Sequence, residues 1–540
     1  MLRKSIAVFI SILCLNVHSL QGQTYDQLDE YLEAMAKQKK FIGDVLLAKG
    51  EKVVYHKAVG SAGGENMNTT DSQFLIGSIT KTFTAIAIMQ LAEEGKVSLS
   101  DPLSKYLSLF PNSENITVKH LLTHKSGIKS YTELPEMNEW KYNKISPIGI
   151  IEKIMDLPLA FEPGSMYSYS NSNYIILGLI IQQVSGMSYP DYLAANIFPK
   201  AGMTHSGMEY ASAQNLSQGL SPTADGWQIE PKVHPSVPYA AGALYSNSQD
   251  MLQFSNAFFS GVFFNQSSTV DRMINFDDGF YGLGVYTEEL DGHFFIGHNG
   301  GVDGYSSSWK YFEDFDLHMI ILSNTFFSET KQVSTAALDA FEGKPVELPK
   351  ERKVIDLSVE KIKKYEGRYE LQRGFDIDVF LQGQKLFARA TGQNEFELYA
   401  ESDTSFFAMV TAIEIDFRID EKNNEVKGLT LFQGGGEFFA PKAEENEKKV
   451  IDLDLADLSA VTGSYELQPG FLLKIFLDHG NLHGQATGQE AFELYPESRS
   501  SFFTIGEGIE IEFQFDENGD NESLILYQGG GAYSAKLVAP

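Results

Sequence analysis

Apolar positions along the chain follow two periods, and the balance between them changes near residue 350. Leu28, Tyr31, Leu32 and Met35 share one face of a helix predicted over residues 24–41. Two short runs, 43–48 and 52–59, flank Lys49-Gly50-Glu51 and predict a β-hairpin. An amphipathic segment opening at Gly77-Ser78 and running to about Glu94 predicts a helix, as do 175–184 and 251–259. Residues 294–309 predict a strand, a glycine-lined break and another strand. Strands over 306–312 and 317–323 continue an antiparallel sheet, and a helix over 330–341 packs on it.

A linker over 342–353, rich in Pro, Lys and Glu, ends this regime. Beyond it Ile413, Ile415, Phe417 and Ile419 alternate with Glu414, Asp416, Arg418 and Asp420, and Ile509, Ile511, Phe513 and Phe515 repeat the pattern. Such alternation predicts half-buried antiparallel strands. Val354-Ile355-Asp356-Leu357 returns as Val450-Ile451-Asp452-Leu453, and Tyr369-Glu370-Leu371-Gln372 returns as Tyr465-Glu466-Leu467-Gln468. The offset is 96 in both cases (450 − 354 and 465 − 369). This is a tandem duplication, and about 90 residues of short strands per copy predict a small barrel or curved sheet. The expected division is therefore a leader at 1–22, a mixed domain at 23–345, and two β repeats at 354–443 and 450–540.

Composition narrows the compartment and the partners. Arg3 and Lys4, an apolar run from Ile6 to Leu15 and a polar exit to Gly22 predict a secretory leader, with an apolar run too short to span a membrane. Cys14 is the only cysteine in 540 residues, so the exported protein has no disulfide and no thiolate chemistry. The net charge of −30, or −32 once Arg3 and Lys4 leave with the leader, argues against nucleic acid and anionic lipid as partners. A small molecule or short peptide is the expected substrate. No integral membrane span, metal or other cofactor is expected.

The candidate chemistry starts at Ser78-Ile79-Thr80-Lys81. A serine and a lysine three apart share a helix face, so the amine sits beside a hydroxyl that needs a base to become nucleophilic. Ser-x-x-Lys also occurs at Ser126/Lys129, Ser328/Lys331 and Ser358/Lys361, but only Ser78 has a glycine before it and an apolar helix face after it. In Tyr169-Ser170-Asn171 two polar side chains two apart point the same way, placing a proton-exchanging phenol beside an amide. The alternative for that stretch is a polar loop in which Asn171 or Ser172 caps the following helix. Tyr245-Ser246-Asn247 repeats the tripeptide as a helix cap. His120 and His124, at i and i+4, have no third ligand in reach, and no metal site is expected there. The aromatic stretch 131–144, with Trp140 and Tyr142, is expected to wall the substrate cleft.

Ser78-x-x-Lys81, Tyr169-x-Asn171 and His298-Asn299-Gly300, in that order, resemble the serine β-lactamase and penicillin-binding protein superfamily. The flanks Asp101-Pro102, His120-Leu121-Leu122-Thr123-His124-x-Ser126-Gly127-Ile128 and Pro163-Gly164 also match, and the resemblance spans residues 25–341. It points to the class C β-lactamase-like branch, with its D-alanyl-D-alanine carboxypeptidases, D-aminopeptidases and esterases. The resemblance implies an α+β catalytic domain, an antiparallel sheet flanked by helices plus a helical lobe, with the site between them. It implies Ser78 as acylated nucleophile, Lys81 and Tyr169 as shared base and acid, and the backbone N–H groups of Ser78 and Gly301 as oxyanion hole. Asn171 holds the substrate amide, and His298 and Gly300 line the far wall. Lactamases of this branch carry lysine where His298 stands; a histidine is only partly charged at neutral pH and fits the peptidases and esterases better. The β repeats resemble lipocalin-like barrels appended to some of these enzymes, expected to narrow the cleft or bind a ligand at their mouths.

Overall fold

The computed structural model describes residues 25–539, apart from 224–225, 277–278, 327, 392, 394, 410–412, 421, 434–435, 444–449, 469–470, 488–490, 505–507, 517 and 529–530. The leader at 1–22 therefore lies outside the described residues. The chain separates into two compact units, Met1–Glu351 and Arg352–Pro540.

In the first unit a helix over 25–37 (α1) leads into the hairpin β1 (Gly43–Lys49) and β2 (Lys52–Val59). Helices α2 (Thr80–Glu93) and α3 (Asn171–Ser185) carry site residues, and α4 (Ser248–Phe259) follows them. The sheet then resumes with β3 (Tyr286–Leu290), β4 (His293–Val302), β5 (Tyr305–Phe312) and β6 (Leu317–Ser323), and α5 (Thr330–Glu342) closes the unit. The six strands are antiparallel in the order β2-β1-β6-β5-β4-β3.

Both faces of the sheet are covered. Val45 and Leu47 of β1 pack with Leu28 and Leu32 of α1 and Val333 and Ala337 of α5. Their neighbours Leu46 and Ala48 join a second, larger core with Phe83 of α2, Ile176 of α3 and Phe254 of α4. A strand buried on both faces has few polar positions to spare, which is why Val45–Ala48 reads as one apolar run, with Asp44 the buried exception.

One expectation changes and another narrows. The Ser78 segment is not amphipathic: every residue from Thr80 to Leu91 is buried. Its polar residues are satisfied inside the core, Thr82 Oγ1 donating to the Gly284 carbonyl and Thr84 Oγ1 to that of Ala240, both at 2.7 Å. The expected strand, glycine-lined break and strand are present, with the break narrower than the run of glycines. Gly300 and Gly301 lie inside β4, and the turn falls at Asp303-Gly304, where Gly304 takes φ +81°. β3 pairs only with His293–Gly297, so β4 from His298 onward is a free edge on that side.

In the second unit each copy of the repeat forms eight antiparallel strands. Those of the second copy, between Gly463 and Ala539, close into a barrel, and those of the first, between Gly367 and Pro441, form a sheet in sequential order. Ile415 and Phe417 face one core and Ile511 and Phe513 another, as the alternation requires. Arg373 of the first copy bonds Glu510 and Glu512 of the second at 2.9 and 2.6 Å, its guanidinium 3.9 Å from the Tyr527 ring centroid.

Candidate active site

Ser78 sits on a single 3-10 turn, Gly77–Ile79, that feeds directly into α2. That turn is pressed against the free edge of β4. Gly77 has φ +49°, and a Cβ there would fall 2.6 Å from the Gly301 nitrogen. A Cβ on Gly300 would fall 2.0 Å from the Ile76 carbonyl oxygen. The Ser307 hydroxyl donates to that same carbonyl at 2.8 Å. Backbone-to-backbone approach of this closeness needs glycine on both sides. It brings the peptides of Ser78 and Gly301 together at the mouth of the site.

Lys81, one turn along α2, is 0% exposed. Its amine contacts three oxygens: Ser78 Oγ at 2.9 Å, Asn171 Oδ1 at 2.8 Å and the Ala241 carbonyl at 2.8 Å. No carboxylate is among them, and burial alone holds the amine well below the ordinary lysine range. A neutral amine has two N–H groups and one lone pair. Asn171 Oδ1 and the Ala241 carbonyl can only accept, so they take the two protons, and the lone pair faces the Ser78 hydroxyl.

Tyr169 is hydrogen-bonded to Ser78 through its hydroxyl. Its phenol is pushed above the usual tyrosine range by burial, so it stays protonated at neutral pH. Asn171 is the first residue of α3 and not its cap; Ser170 holds the cap position and makes no side-chain capping bond. The amide of Asn171 instead spans Lys81 and Thr132 Oγ1, to which its Nδ2 donates at 3.2 Å. Of the two readings of Tyr169-Ser170-Asn171, capping by Asn171 is excluded. At the second copy, Asn247 does cap α4, accepting from the Asp250 N–H at 2.8 Å.

His298 is 3% exposed, and burial, then the Lys81 amine, lower its pKa to about 3. The ring is therefore neutral at pH 7, where the sequence implied partial charge. Its Nδ1 lies 2.6 Å from the Asn299 carbonyl, which can only accept, so Nδ1 carries the proton and Nε2 accepts from the Tyr281 hydroxyl at 2.9 Å. Beside it lies a cavity of about 480 Å³ walled by Tyr167, Tyr169, Phe280, Tyr281 and Tyr286, with Thr287 and the carboxylate of Glu288 also in the lining. No lysine or arginine is among its lining residues. Trp140 and Tyr142 are not there either; the stretch 131–144 reaches the site instead through Thr132 and the buried Tyr131.

The structure thus brings Ser78, Lys81, Tyr169, Asn171, His298, Gly300 and Gly301 into one place. Ser126 is buried at a different task, donating to Asn173 Oδ1 at 2.6 Å. Ser358 is the N-cap residue of a short helix in the other unit. Sequence reasoning missed Tyr281, whose only signal was an aromatic pair, Phe280-Tyr281, in a glycine-bounded loop. Among the described residues no group of three potential ligands is arranged for a metal ion, and no helix is long and apolar enough to cross a membrane.

A serine hydroxyl, a buried lysine amine and a phenol grouped on a sheet-and-helix scaffold are the arrangement of a serine hydrolase. Residues 28–344 match the family model Beta-lactamase, and the chain belongs to that family. Residues 351–449 match a second model, described as a domain of unknown function, DUF3471. Penicillin-binding protein 4* of Bacillus subtilis (strain 168) is 29% identical over 444 residues, covering 76% of this chain and 97% of that protein. Among solved structures, the octameric penicillin-binding protein homologue from Pyrococcus abyssi is 26% identical with a TM-score of 0.53, covering 77% of this chain and 99% of that one. A D-stereospecific amidohydrolase from Streptomyces is 27% identical with a TM-score of 0.51, covering 59% of this chain and 99% of that one.

Proposed function

We propose that this chain is an exported hydrolase that acylates Ser78 and cleaves amide bonds, with D-amino-acid peptides and amides as its substrate class. One observation carries the mechanism: the fully buried Lys81 amine lies 2.9 Å from Ser78 Oγ with no carboxylate partner, and its burial favours the neutral, proton-accepting form. Lys81 takes the Ser78 proton as Oγ attacks the carbonyl carbon. Backbone N–H groups of Ser78 and Gly301 receive the developing oxyanion, each worth about 3 kcal/mol in the transition state. Tyr169 then protonates the departing nitrogen, and the Lys81 ammonium returns its proton to Tyr169. Water repeats the sequence on the acyl-enzyme with the roles reversed.

The substrate class rests on the wall of the site. A substrate carboxylate needs a cation, and His298 is neutral in a cavity lined by aromatic rings and lacking lysine or arginine. That favours an uncharged or amino-bearing acyl group over the carboxylates of β-lactams and D-alanyl-D-alanine termini. The similar structure named a D-stereospecific amidohydrolase supports the choice of D-configured amides. The aromatic part of the same wall favours a second reading, an esterase of small acyl esters. The proposed division remains a leader at 1–22, a catalytic domain at 23–345 and repeats at 354–443 and 450–540.

A fluorophosphonate or fluorescent penicillin probe tests the mechanism. Label is expected on the native protein and lost in Ser78→Ala; undiminished label on that variant refutes it. Parallel assays with nitrocefin, a D-alanyl anilide and p-nitrophenyl acetate rank lactamase, amidase and esterase directly. The N-terminal residue of protein recovered from outside the cytoplasm tests the leader.

A further inference from the structure

The stretch His124 to Tyr131 lies outside the catalytic list, yet it touches nearly every residue of the Tyr169 loop. The Ser168 N–H donates to the His124 carbonyl at 2.9 Å. The Ser170 N–H donates to His124 Nδ1 at 3.1 Å. Beyond them the Asn171 N–H donates to Ser130 Oγ at 3.1 Å, and Ser172 Oγ accepts from the Tyr131 N–H at 2.8 Å. One residue, His124, thus holds the peptide groups on both sides of Tyr169.

Its ring does a second task. It is fully buried, with its centroid 4.3 Å from that of Tyr169, 4.8 Å from Tyr281 and 5.2 Å from Tyr174. Because Nδ1 accepts a backbone N–H, the proton of the neutral ring is on Nε2. Nε2 is buried and, among the described residues, has no hydrogen-bond partner. The residue also stands at φ +55°, a left-handed conformation that costs a non-glycine residue about 1–2 kcal/mol. An orphaned buried donor and a strained backbone at one position are costs that packing alone does not require, since an apolar side chain would avoid the first and glycine the second.

We propose that His124 is the positioning residue of Tyr169, holding the segment Ser168–Ser170 extended and backing the phenol ring so that its hydroxyl meets Ser78. The proposal rests on the reading of Tyr169 as proton donor, and the experiment separates the two. Asparagine carries Oδ1 on the same Cγ as Nδ1 and tolerates left-handed φ, so His124→Asn keeps the acceptor and the turn. His124→Leu keeps volume and loses the acceptor.

With D-alanyl p-nitroanilide, kcat of His124→Leu is expected to fall about 30- to 100-fold with KM within about threefold, because displacing a reacting group by about 1 Å costs on that order. His124→Asn is expected to stay within about fivefold of the parent, since a neutral hydrogen bond of this kind is retained. Introduced into Tyr169→Phe, which has no hydroxyl left to position, His124→Leu is expected to cost less than about threefold more, the non-additivity of coupled residues. Equal impairment of the Asn and Leu variants, or a full multiplicative loss in the Tyr169→Phe background, overturns the proposal. A Tyr169→Phe enzyme at the parental rate refutes instead the role of Tyr169 itself. Should His124→Leu fail to fold, a loss above about 30-fold in His124→Asn overturns the proposal on its own.

Discussion

Replacing Asn171 by aspartate changes one atom that touches Lys81 and tests whether the base is a neutral amine. Asn171 Oδ1 lies 2.8 Å from Lys81 Nζ, so Asn171→Asp puts a carboxylate oxygen at hydrogen-bond distance from a buried amine with no other acidic partner. At an effective dielectric constant of about 20, a charge pair at this separation is worth about 4–6 kcal/mol, or roughly 3–4 pH units before the carboxylate's own desolvation is subtracted. Position 171 is half-buried, which offsets part of that gain, and a net displacement of about 2 pH units is expected. The sign follows from the acceptor role. A neighbouring anion favours the ammonium, so Lys81 gives up its proton only at higher pH, and the acid limb of kcat/KM moves to the alkaline side. Activity is lost below the displaced limb and recovers as the pH is raised through it, a profile that simple loss of a substrate contact does not produce. The assay is kcat/KM for D-alanyl p-nitroanilide across pH 5–10, paired with the rate of fluorophosphonate labelling of Ser78. An acid limb that stays in place, or moves to lower pH, refutes the neutral-lysine mechanism.

Two further perturbations test the frame around the site. Gly300→Ala sets a Cβ 2.0 Å from the Ile76 carbonyl and 2.4 Å from Ser307 Oγ, so the turn bearing Ser78 must move off β4; labelling and turnover are expected to fall about 100-fold with a stability loss of about 1–3 kcal/mol. A label rate within threefold of the parent would show that the turn and the strand need not touch. Away from the site, Asp44 is fully buried, accepts from Ser248 Oγ, and has His56 Nε2 at 3.0 Å; burial raises its pKa. His56→Leu strips one of its two side-chain partners, leaving Ser248 and the Val45 backbone, and is expected to cost about 3 kcal/mol. Urea unfolding followed by tryptophan fluorescence reads this unit selectively, because Trp140, Trp227 and Trp309 all precede residue 351. An unchanged midpoint would mean that Ser248 and the Val45 backbone sustain the buried carboxylate without His56.

Much of this protein is legible along the chain because the relevant physics is local. Strand and helix periods marked β1, β2, β6 and α5, and the strict alternation at 413–419 and 509–515 together with the offset of 96 exposed two β repeats. A serine and lysine one helical turn apart, a tyrosine and asparagine two apart, and a histidine beside paired glycines are spacings, and spacings survive in a linear text. Burial does not, because it is set by segments far away in sequence. Nothing near Thr80–Leu91 says that α2 will be enclosed on all sides, or that Gly300 and Gly301 continue a strand, since both depend on which elements pack there. The protonation of the site follows the same rule. Lys81 meets Ser78 locally, but the lowering of its pKa comes from burial beside Asn171 and Ala241, 90 and 160 residues along the chain. Likewise His298 was visible as a departure from lysine, while its lack of charge is a consequence of enclosure by Tyr281 and its neighbours. The sequence by itself marked the groups to which the chemistry is assigned; the tertiary structure shifts their protonation, by removing water from around them.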